Sequence, residues 1–292
     1  MKITFLGTSA GESYPAIWCD CENCTYARKH GGRNIRMNTG SMIDSDILMD
    51  MNSCGFYTAA RLGVSLTGIK YLLVTHPHSD HLTLEPLAWR RENGNASELT
   101  GDARLNAISP RFTPLPMMTV YGNRFTEEKL VGAHPEWFDG TEKMQMRFER
   151  ISEGVRMVAS DDLAFTPVRS RHDEPGFSHS YILERGGKTL LYALDTAGYD
   201  PDMLEIILNH RYDGVVMEGT FGLNPGENAG HMTKARNIAF RKMLIERGCI
   251  QGSTPYFLTH LCPHWTPPYD IYAPMMADEG FIVAYDGLVA EI

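Results

Sequence analysis

Three imidazoles and a carboxylate fall within the run His76-Pro77-His78-Ser79-Asp80-His81, which follows the apolar segment Ile69 to Val74. Imidazole and carboxylate are the usual protein ligands of zinc and similar divalent ions. In extended chain just past a strand, His76 and His78 project to the same side. Asp80 and His81 then sit where the chain turns, in position to serve a second ion. More ligand types end apolar runs downstream. His172 follows Phe165 to Val168, Asp195 follows Thr189 to Leu194, and His260 follows Pro255 to Thr259. Ligands borne on successive strand ends are held rigidly, while the loops beside them leave room for substrate.

A second cluster is Trp18-Cys19-Asp20-Cys21-Glu22-Asn23-Cys24, in which Cys19, Cys21 and Cys24 read C-x-C-x-x-C. Thiolates so close suit a tetrahedral zinc with one further ligand. No fourth cysteine follows at a matching interval. His264, in Thr259-His260-Leu261-Cys262-Pro263-His264, is the expected fourth ligand, and Cys262 is its rival. Such tight spacing is a ligand cluster, not a disulfide framework. Cys54 and Cys249 read as small core residues.

The elements that must position these groups are strands with helices between them. Strand-like runs are Lys2 to Leu6, Asp46 to Asp50, Tyr71 to Val74, Leu163 to Val168 and Ser178 to Glu184. Lys188 to Leu194, Gly214 to Glu218, Tyr256 to Thr259 and Phe281 to Tyr285 continue the series. Helices are expected over Leu84 to Glu92, over Pro201 to His210 with Asp200 as N-cap, and over Thr233 to Arg247 with Gly248 as stop. Interleaved strands and helices predict a layered α/β domain. The stretch from Asn93 to Met118, with three prolines and two glycines, reads as an insertion or lid loop.

Composition sets the outer limits. The chain has 292 residues, 43% apolar and 22% charged, the balance of an ordinary globular protein. A formal net charge of −9 argues against a long nucleic acid as partner. It leaves room for a small anionic substrate, because bound divalent ions bring their own positive charge. No apolar run approaches the ~18 residues of a membrane helix. Met1 to Gly7 is a strand pattern without a signal-cleavage region, so a cytoplasmic setting is the expectation.

An H-x-H-x-D-H run followed by a lone His, an Asp and a late His resembles the metallo-β-lactamase superfamily. The resemblance implies a four-layer αββα sandwich spanning 1–292 as one domain, with a dinuclear site at one edge. Carried over residue by residue, one ion takes His76, His78 and His172. The other takes Asp80, His81 and His260, and Asp195 bridges. Two ions about 3.5–4 Å apart can activate a water and clamp the oxygens of a displacement at phosphorus.

Gly7-Thr8-Ser9-Ala10-Gly11, the cysteine run with Ala27-Arg28, Asp195-Thr196-Ala197-Gly198 and Leu258-Thr259-His260 are similar to PhnP-like phosphodiesterases. That resemblance implies a structural zinc on the thiols and a later His, a metal pair that is often manganese, and opening of cyclic phosphodiesters of ribose. It also implies a homodimer. The interval from His260 to His264 is one residue longer here, with Pro263 inserted.

The general acid must stand outside the ligands. His231, in the Gly-rich phrase Ala229-Gly230-His231-Met232-Thr233, is the candidate, and PhnP-like enzymes carry a catalytic His in a similar place. Asp80 counts as catalytic through its place at the metal pair. Imidazole suits protonation of a leaving alkoxide near pH 7. Asn224 and Asn228 are candidates to touch substrate. Arg169, Arg171, Lys234 and Arg236 are candidate phosphate binders, each read first as a surface charge. Asp50 is placed to support a ligand by hydrogen bonding. His30, His134, His179 and His210 read as structural or surface residues.

The alternatives are a hydrolase of lactones, thioesters or RNA on the same fold, and a non-hydrolytic relative in cofactor biosynthesis. An eroded ligand set would mark the latter, whereas all seven positions are filled here.

Overall fold

The computed structural model describes residues 1–90, 115–139, 144–226 and 230–292. Its strands are β1 (Lys2–Gly7), β2 (Gly40–Ile43), β3 (Ile47–Met49), β4 (Tyr71–Leu73), β5 (Met118–Gly122), β6 (Met146–Arg150) and β7 (Met157–Val158). They continue with β8 (Leu163–Ser170), β9 (Ser178–Arg185), β10 (Lys188–Ala193), β11 (Gly214–Glu218), β12 (Tyr256–Thr259), β13 (Ile282–Val283) and β14 (Val289–Glu291). The α-helices are α1 (Glu22–His30), α2 (Gly55–Leu62), α3 (Glu85–Ala88), α4 (Arg124–Leu130), α5 (Pro201–Leu208), α6 (Lys234–Glu246) and α7 (Tyr269–Ala277).

The strands form two seven-stranded sheets, ordered β14-β1-β2-β3-β4-β5-β6 and β13-β12-β11-β10-β9-β8-β7. Alternation of side chains along a strand explains how both faces become buried. In β10 and just past it, Leu190, Tyr192 and Leu194 join an apolar cluster shared with Ile3, Phe5, Ile47 and Leu73 of the other sheet. Leu191 and Ala193 point the opposite way and pack with Met203 and Ile207 of α5 and Phe240 and Leu244 of α6. On the outer face of the first sheet, Leu48, Leu72 and Val120 pack with Leu87 of α3 and Leu130 of α4. The result is the expected four-layer αββα sandwich.

Strand direction creates the site. From β3 to β6 the pairs are parallel, as are those from β10 to β13. β8 and β10 both run antiparallel to β9, so they end at the same edge. The loops after β4, β8, β10, β11 and β12 therefore leave one edge together, where ligands of open α/β sheets commonly bind.

Each expected strand has a counterpart, but β2, β5, β6, β7 and β14 were not anticipated. The helix expected from Leu84 to Glu92 is only Glu85–Ala88, and residues 91 and 92 lie outside the described residues. Most of the expected lid, residues 93–114, also lies outside them, and Met118 itself opens β5. Asp200 holds the N-cap position of α5 without capping it, because its carboxylate is bonded to Arg171 at 2.8 Å. Thr233 does cap α6, accepting from the Arg236 amide. Gly7 is needed for close approach: a Cβ there would lie 1.9 Å from the Asn38 carbonyl oxygen. No helix among the described residues is long and apolar enough to cross a membrane.

Candidate metal centre

The loops at the common edge bring two ligand groups together. His76, His78, His172 and Asp195 place ligand atoms within 4.8 Å of one another, as do Asp80, His81, Asp195 and His260. Asp195 belongs to both. Its Oδ2 lies 3.2 Å from His76 Nε2, 3.4 Å from His81 Nε2 and 3.7 Å from His172 Nε2. Its Oδ1 lies 3.0 Å from His260 Nε2. Asp80 Oδ2 is 3.6 Å from both His81 Nε2 and His260 Nε2. Gly11 leaves Asp80 its space, since a Cβ there would stand 3.3 Å from Oδ2.

The outer nitrogens of the imidazoles are already engaged. His81 Nδ1 donates to Asp50 Oδ2 at 2.8 Å. His260 Nδ1 donates to Thr220 Oγ1 at 2.7 Å, which donates onward to the His260 carbonyl. His172 Nδ1 faces the Gly230 carbonyl at 3.3 Å, and His76 Nδ1 faces Thr75 Oγ1 at 3.1 Å. Thr75 is held by Asp50 through its amide and hydroxyl. His78 is reversed, with Nε2 on Asp173 Oδ2 at 3.0 Å and Nδ1 facing inward. For a neutral imidazole this network assigns the ring proton to the outer nitrogen and leaves the lone pair inside; at His81 the surrounding carboxylates favour a second, inner proton until an ion displaces it.

Those inner atoms crowd. His76 Nε2 and His78 Nδ1 are 3.0 Å apart, and His81 Nε2 and His260 Nε2 are 3.1 Å apart. Asp195 Oδ1 is buried without a hydrogen-bond partner. Converging lone pairs beside an unpaired buried carboxylate oxygen are what a cation relieves. The donor set therefore fits a pair of divalent ions, which the fold family implies. The backbone is bent to achieve this: Asp50, Asp173, Asp195 and His260 all have positive φ, between 45° and 62°. Each such residue costs on the order of 1–3 kcal/mol, and strain of this kind concentrates at functional sites.

Electrostatics in the metal-free protein follow from burial and the carboxylates. Burial, with His81 nearby, drives His76 down to about 3. At His81 burial is overcome by Asp195, Asp80 and Asp50, which hold its proton well above the ordinary imidazole range. Asp195 and Asp80 resist the upward push of burial because imidazoles surround them, and both lie well below ordinary carboxylates.

His231 stands beside this set, its ring 5.0 Å from that of His172 and 5.8 Å from that of His260. Its Nδ1 donates to Glu218 Oε1 at 2.9 Å. Burial lowers the imidazole, but the Glu218 carboxylate and Asp195 outweigh it and raise His231 to about 9. Glu218 ends β11, is fully buried, and also accepts the amides of Thr196 and Thr220. Glu218, Thr75, Thr220 and Asp173 were not singled out in the sequence. A signal existed for Glu218: Asp50, Asp195 and Glu218 each follow an apolar strand that ends at the site edge.

The cysteine cluster also assembles. Cys19, Cys21 and Cys24 place their sulfurs within 4.8 Å of one another at the start of α1, and His264 Nδ1 lies 3.9 Å from Cys19 Sγ. Cys262 faces Glu12, its thiol 3.7 Å from Oε1, and with Glu12 and His264 it makes a second group whose ligand atoms lie within 4.8 Å of one another. Asn23 docks the two loops by donating to the carbonyls of Pro263 and Thr266. Burial pushes the Cys24 and Cys262 thiols up to about 12.

Other candidates are engaged with partners outside the ligand groups. Arg169 pairs with Glu153 at 3.0 Å, Arg171 with Asp200 at 2.8 Å, and Lys234 with Glu279 at 3.0 Å. Arg236 donates to the His231 carbonyl. Asn224 accepts the amide of Gly226 in its own turn, and Asn228 lies outside the described residues. His179 is buried against Glu153 at 3.0 Å, and His30 and His134 stack on Tyr26 and Trp137.

A family model described as a beta-lactamase superfamily domain matches residues 53–247, more than half of the chain. No curated protein matches the sequence. Among solved structures, a diphosphatase from the PhnP family is 19% identical with a TM-score of 0.69, covering 100% of this chain and 96% of its own. Zinc-bound PqqB from Methylobacterium extorquens is 17% identical with a TM-score of 0.68 and full coverage of both chains. Human tRNase Z, short form, is 15% identical with a TM-score of 0.64, covering 100% of this chain and 99% of its own. At these identities the likeness is one of fold. The family match and the assembled ligand set lead to one conclusion: the chain belongs to the beta-lactamase superfamily and is a metal-dependent hydrolase of the metallo-β-lactamase fold.

Proposed function

We propose that the protein is a phosphodiesterase acting on a small phosphodiester, with cyclic phosphodiesters of ribose as the first substrates to test. His231 carries this reading. It is an imidazole outside the ligand set, fixed by Glu218 at 2.9 Å and facing the ligands, and the Glu218 carboxylate pushes its pKa up to about 9. Cleavage of a phosphodiester leaves an alkoxide, and such a group supplies its proton.

In this reading His76, His78 and His172 would hold one ion, Asp80, His81 and His260 would hold the other, and Asp195 would serve both. Bound divalent ions supply charge stabilisation at phosphorus and lower the pKa of water. The chain's own residues do the rest. Glu218 keeps Nδ1–H in place and sustains the positive ring, so the transferable proton sits at His231 Nε2. Water adds at phosphorus, keeping one proton on the product phosphate and releasing the other to solvent; the phosphorus–oxygen bond to the leaving group breaks, that oxygen takes the Nε2 proton, and His231 regains a proton from solvent. Phe177 packs on the His78 ring at 4.9 Å and Phe221 on the His231 ring at 5.0 Å, limiting water on both sides.

The names of two similar structures, a diphosphatase and a tRNase Z, favour phosphorus over a carboxyl centre. The net charge of −9 favours a small substrate. We further propose manganese or zinc in the pair, a structural zinc on Cys19, Cys21, Cys24 and His264, and a cytoplasmic homodimer. Hydrolysis of bis-p-nitrophenyl phosphate and of 2′,3′-cyclic nucleotides, measured beside a panel of lactones and thioesters, tests the substrate class. Turnover of the diesters supports it. Turnover of lactones or thioesters with inert diesters contradicts it.

A further inference from the structure

The first-ion ligands come from two sheets. His78 lies in the loop after β4, and His172 lies just past β8. Their inner nitrogens are nevertheless 3.4 Å apart. Neither ligand loop is regular structure, so something must set that spacing. Helix α4 touches both loops through charged or amide hydrogen bonds.

At its last turn, Lys129 Nζ donates to the Pro77 carbonyl at 2.6 Å and to the Leu82 carbonyl at 2.7 Å. These carbonyls flank His78, Asp80 and His81, so one ammonium ties both ends of the ligand loop. At the helix start, the Asn123 amide nitrogen donates to the Phe177 carbonyl at 2.6 Å and the Gly176 carbonyl at 3.2 Å. That segment carries His172 and Asp173, the latter holding His78 Nε2. Asn123 Oδ1 meanwhile caps the helix by accepting from the Thr126 amide at 2.9 Å. Between these ends, Phe125 packs on Phe177 at 5.2 Å, and Phe177 packs on His78 at 4.9 Å.

We propose that α4 is a bracket for the first metal position, with Lys129 and Asn123 as positioning residues that fix the His78 loop against the His172 loop. Neither touches a ligand nitrogen; both act through backbone carbonyls, and the Asn123 side chain also meets His179 Nδ1 at 3.3 Å. A charged donor is suited to this, because hydrogen bonds from an ammonium are shorter and stronger than neutral ones. The inference rests on the assignment of His76, His78 and His172 as ligands. It does not depend on the substrate class.

The test compares Mn²⁺ affinity with the stability of the chelator-treated protein in Lys129→Met, Lys129→Arg and Asn123→Asp. Asn123→Asp retains the capping oxygen while replacing the nitrogen that faces the Gly176 and Phe177 carbonyls and His179 Nδ1. Outer contacts of this kind are worth a factor of about 10–100 in metal affinity. Lys129→Met and Asn123→Asp should weaken Mn²⁺ binding by that factor, and Lys129→Arg should recover most of the Lys129 loss. The melting temperature of the metal-free protein should stay near wild type in the two Lys129 variants, whereas Asn123→Asp, which sets a buried carboxylate oxygen against two carbonyls, should lower it. Unchanged Mn²⁺ affinity in Lys129→Met and Asn123→Asp would overturn the bracket. So would a metal-free melting temperature that falls in step with affinity in the Lys129 variants, which would mark α4 as a general stabiliser. Failure of the phosphodiesterase reading would leave these affinities as predicted.

Discussion

Glu218 Oε1 lies 2.9 Å from Nδ1 of His231 while accepting the Thr196 amide at 2.7 Å. Thr196 follows Asp195, so one buried oxygen connects the shared ligand's loop to the imidazole proposed as general acid. The chain places an acid, a base and a ligand loop in register at the end of β11.

Removing that carboxylate charge has a defined consequence in metal-free protein. His231 should titrate near 9 in the wild type, and lower in Glu218→Gln, which removes the carboxylate that raises it. The sign follows from linkage: the folded pKa exceeds the unfolded value of ~6.5. The pair's contribution to stability is complete below about pH 6.5 and is lost as pH rises through about 9. Glu218→Gln should lack that loss. An imidazole NMR titration and melting curves at the two pH values check both parts.

Asp50 should act through His81. Its carboxylate receives His81 Nδ1–H at 2.8 Å and also holds Thr75. Asp50→Ala should weaken metal binding by about 10–100-fold. In the wild type, neighbouring carboxylates hold a proton on His81 that an ion must displace. Metal affinity should therefore rise with pH above neutrality, with proton release on binding. Calorimetric titrations in buffers of different ionisation enthalpy measure this directly.

Much of this was legible in the sequence, and the limits have physical causes. His76 through His81, His172, Asp195 and His260 could be found because each ends an apolar strand, and strand ends fix side chains. The nine expected strands were long or strongly apolar. The five missed ones are short or carry charges, as in Met146-Arg147-Phe148-Glu149-Arg150. Glu218 ends an apolar strand as the other site acids do, but its role could not be read because its bonds to His231 and the Thr196 amide depend on tertiary packing. The bonds of Asp173, Lys129 and Asn123 are unreadable for another reason. They join residues whose proximity depends on how the two sheets stack.

Cysteine replacements should separate two roles in one loop. If the proposed structural zinc is present, Cys24→Ser and His264→Ala should each lower bound zinc by about one equivalent, because they would break its tetrahedral set. Cys262→Ser should leave zinc content unchanged, since that thiol faces Glu12. Elemental analysis of purified variants decides between His264 and Cys262.

Gly7 tests the fold itself. An added methyl would sit 1.9 Å from the Asn38 carbonyl oxygen and 2.8 Å from that of Met37, both unyielding backbone. Gly7→Ala should cost ~3 kcal/mol or more, the upper end of overpacking. Chemical denaturation of metal-free protein measures the loss.

The central claim is that a metal-bearing edge and His231 together cleave a phosphodiester. Metal content and diesterase activity should be measured on the same samples of wild type and His231→Ala. The account predicts equal metal content and a rate lower by a factor on the order of 10²–10⁴ in the variant. Equal rates at equal metal content would remove His231 from the reaction. A metal-loaded wild type inert to every phosphodiester would contradict the function itself.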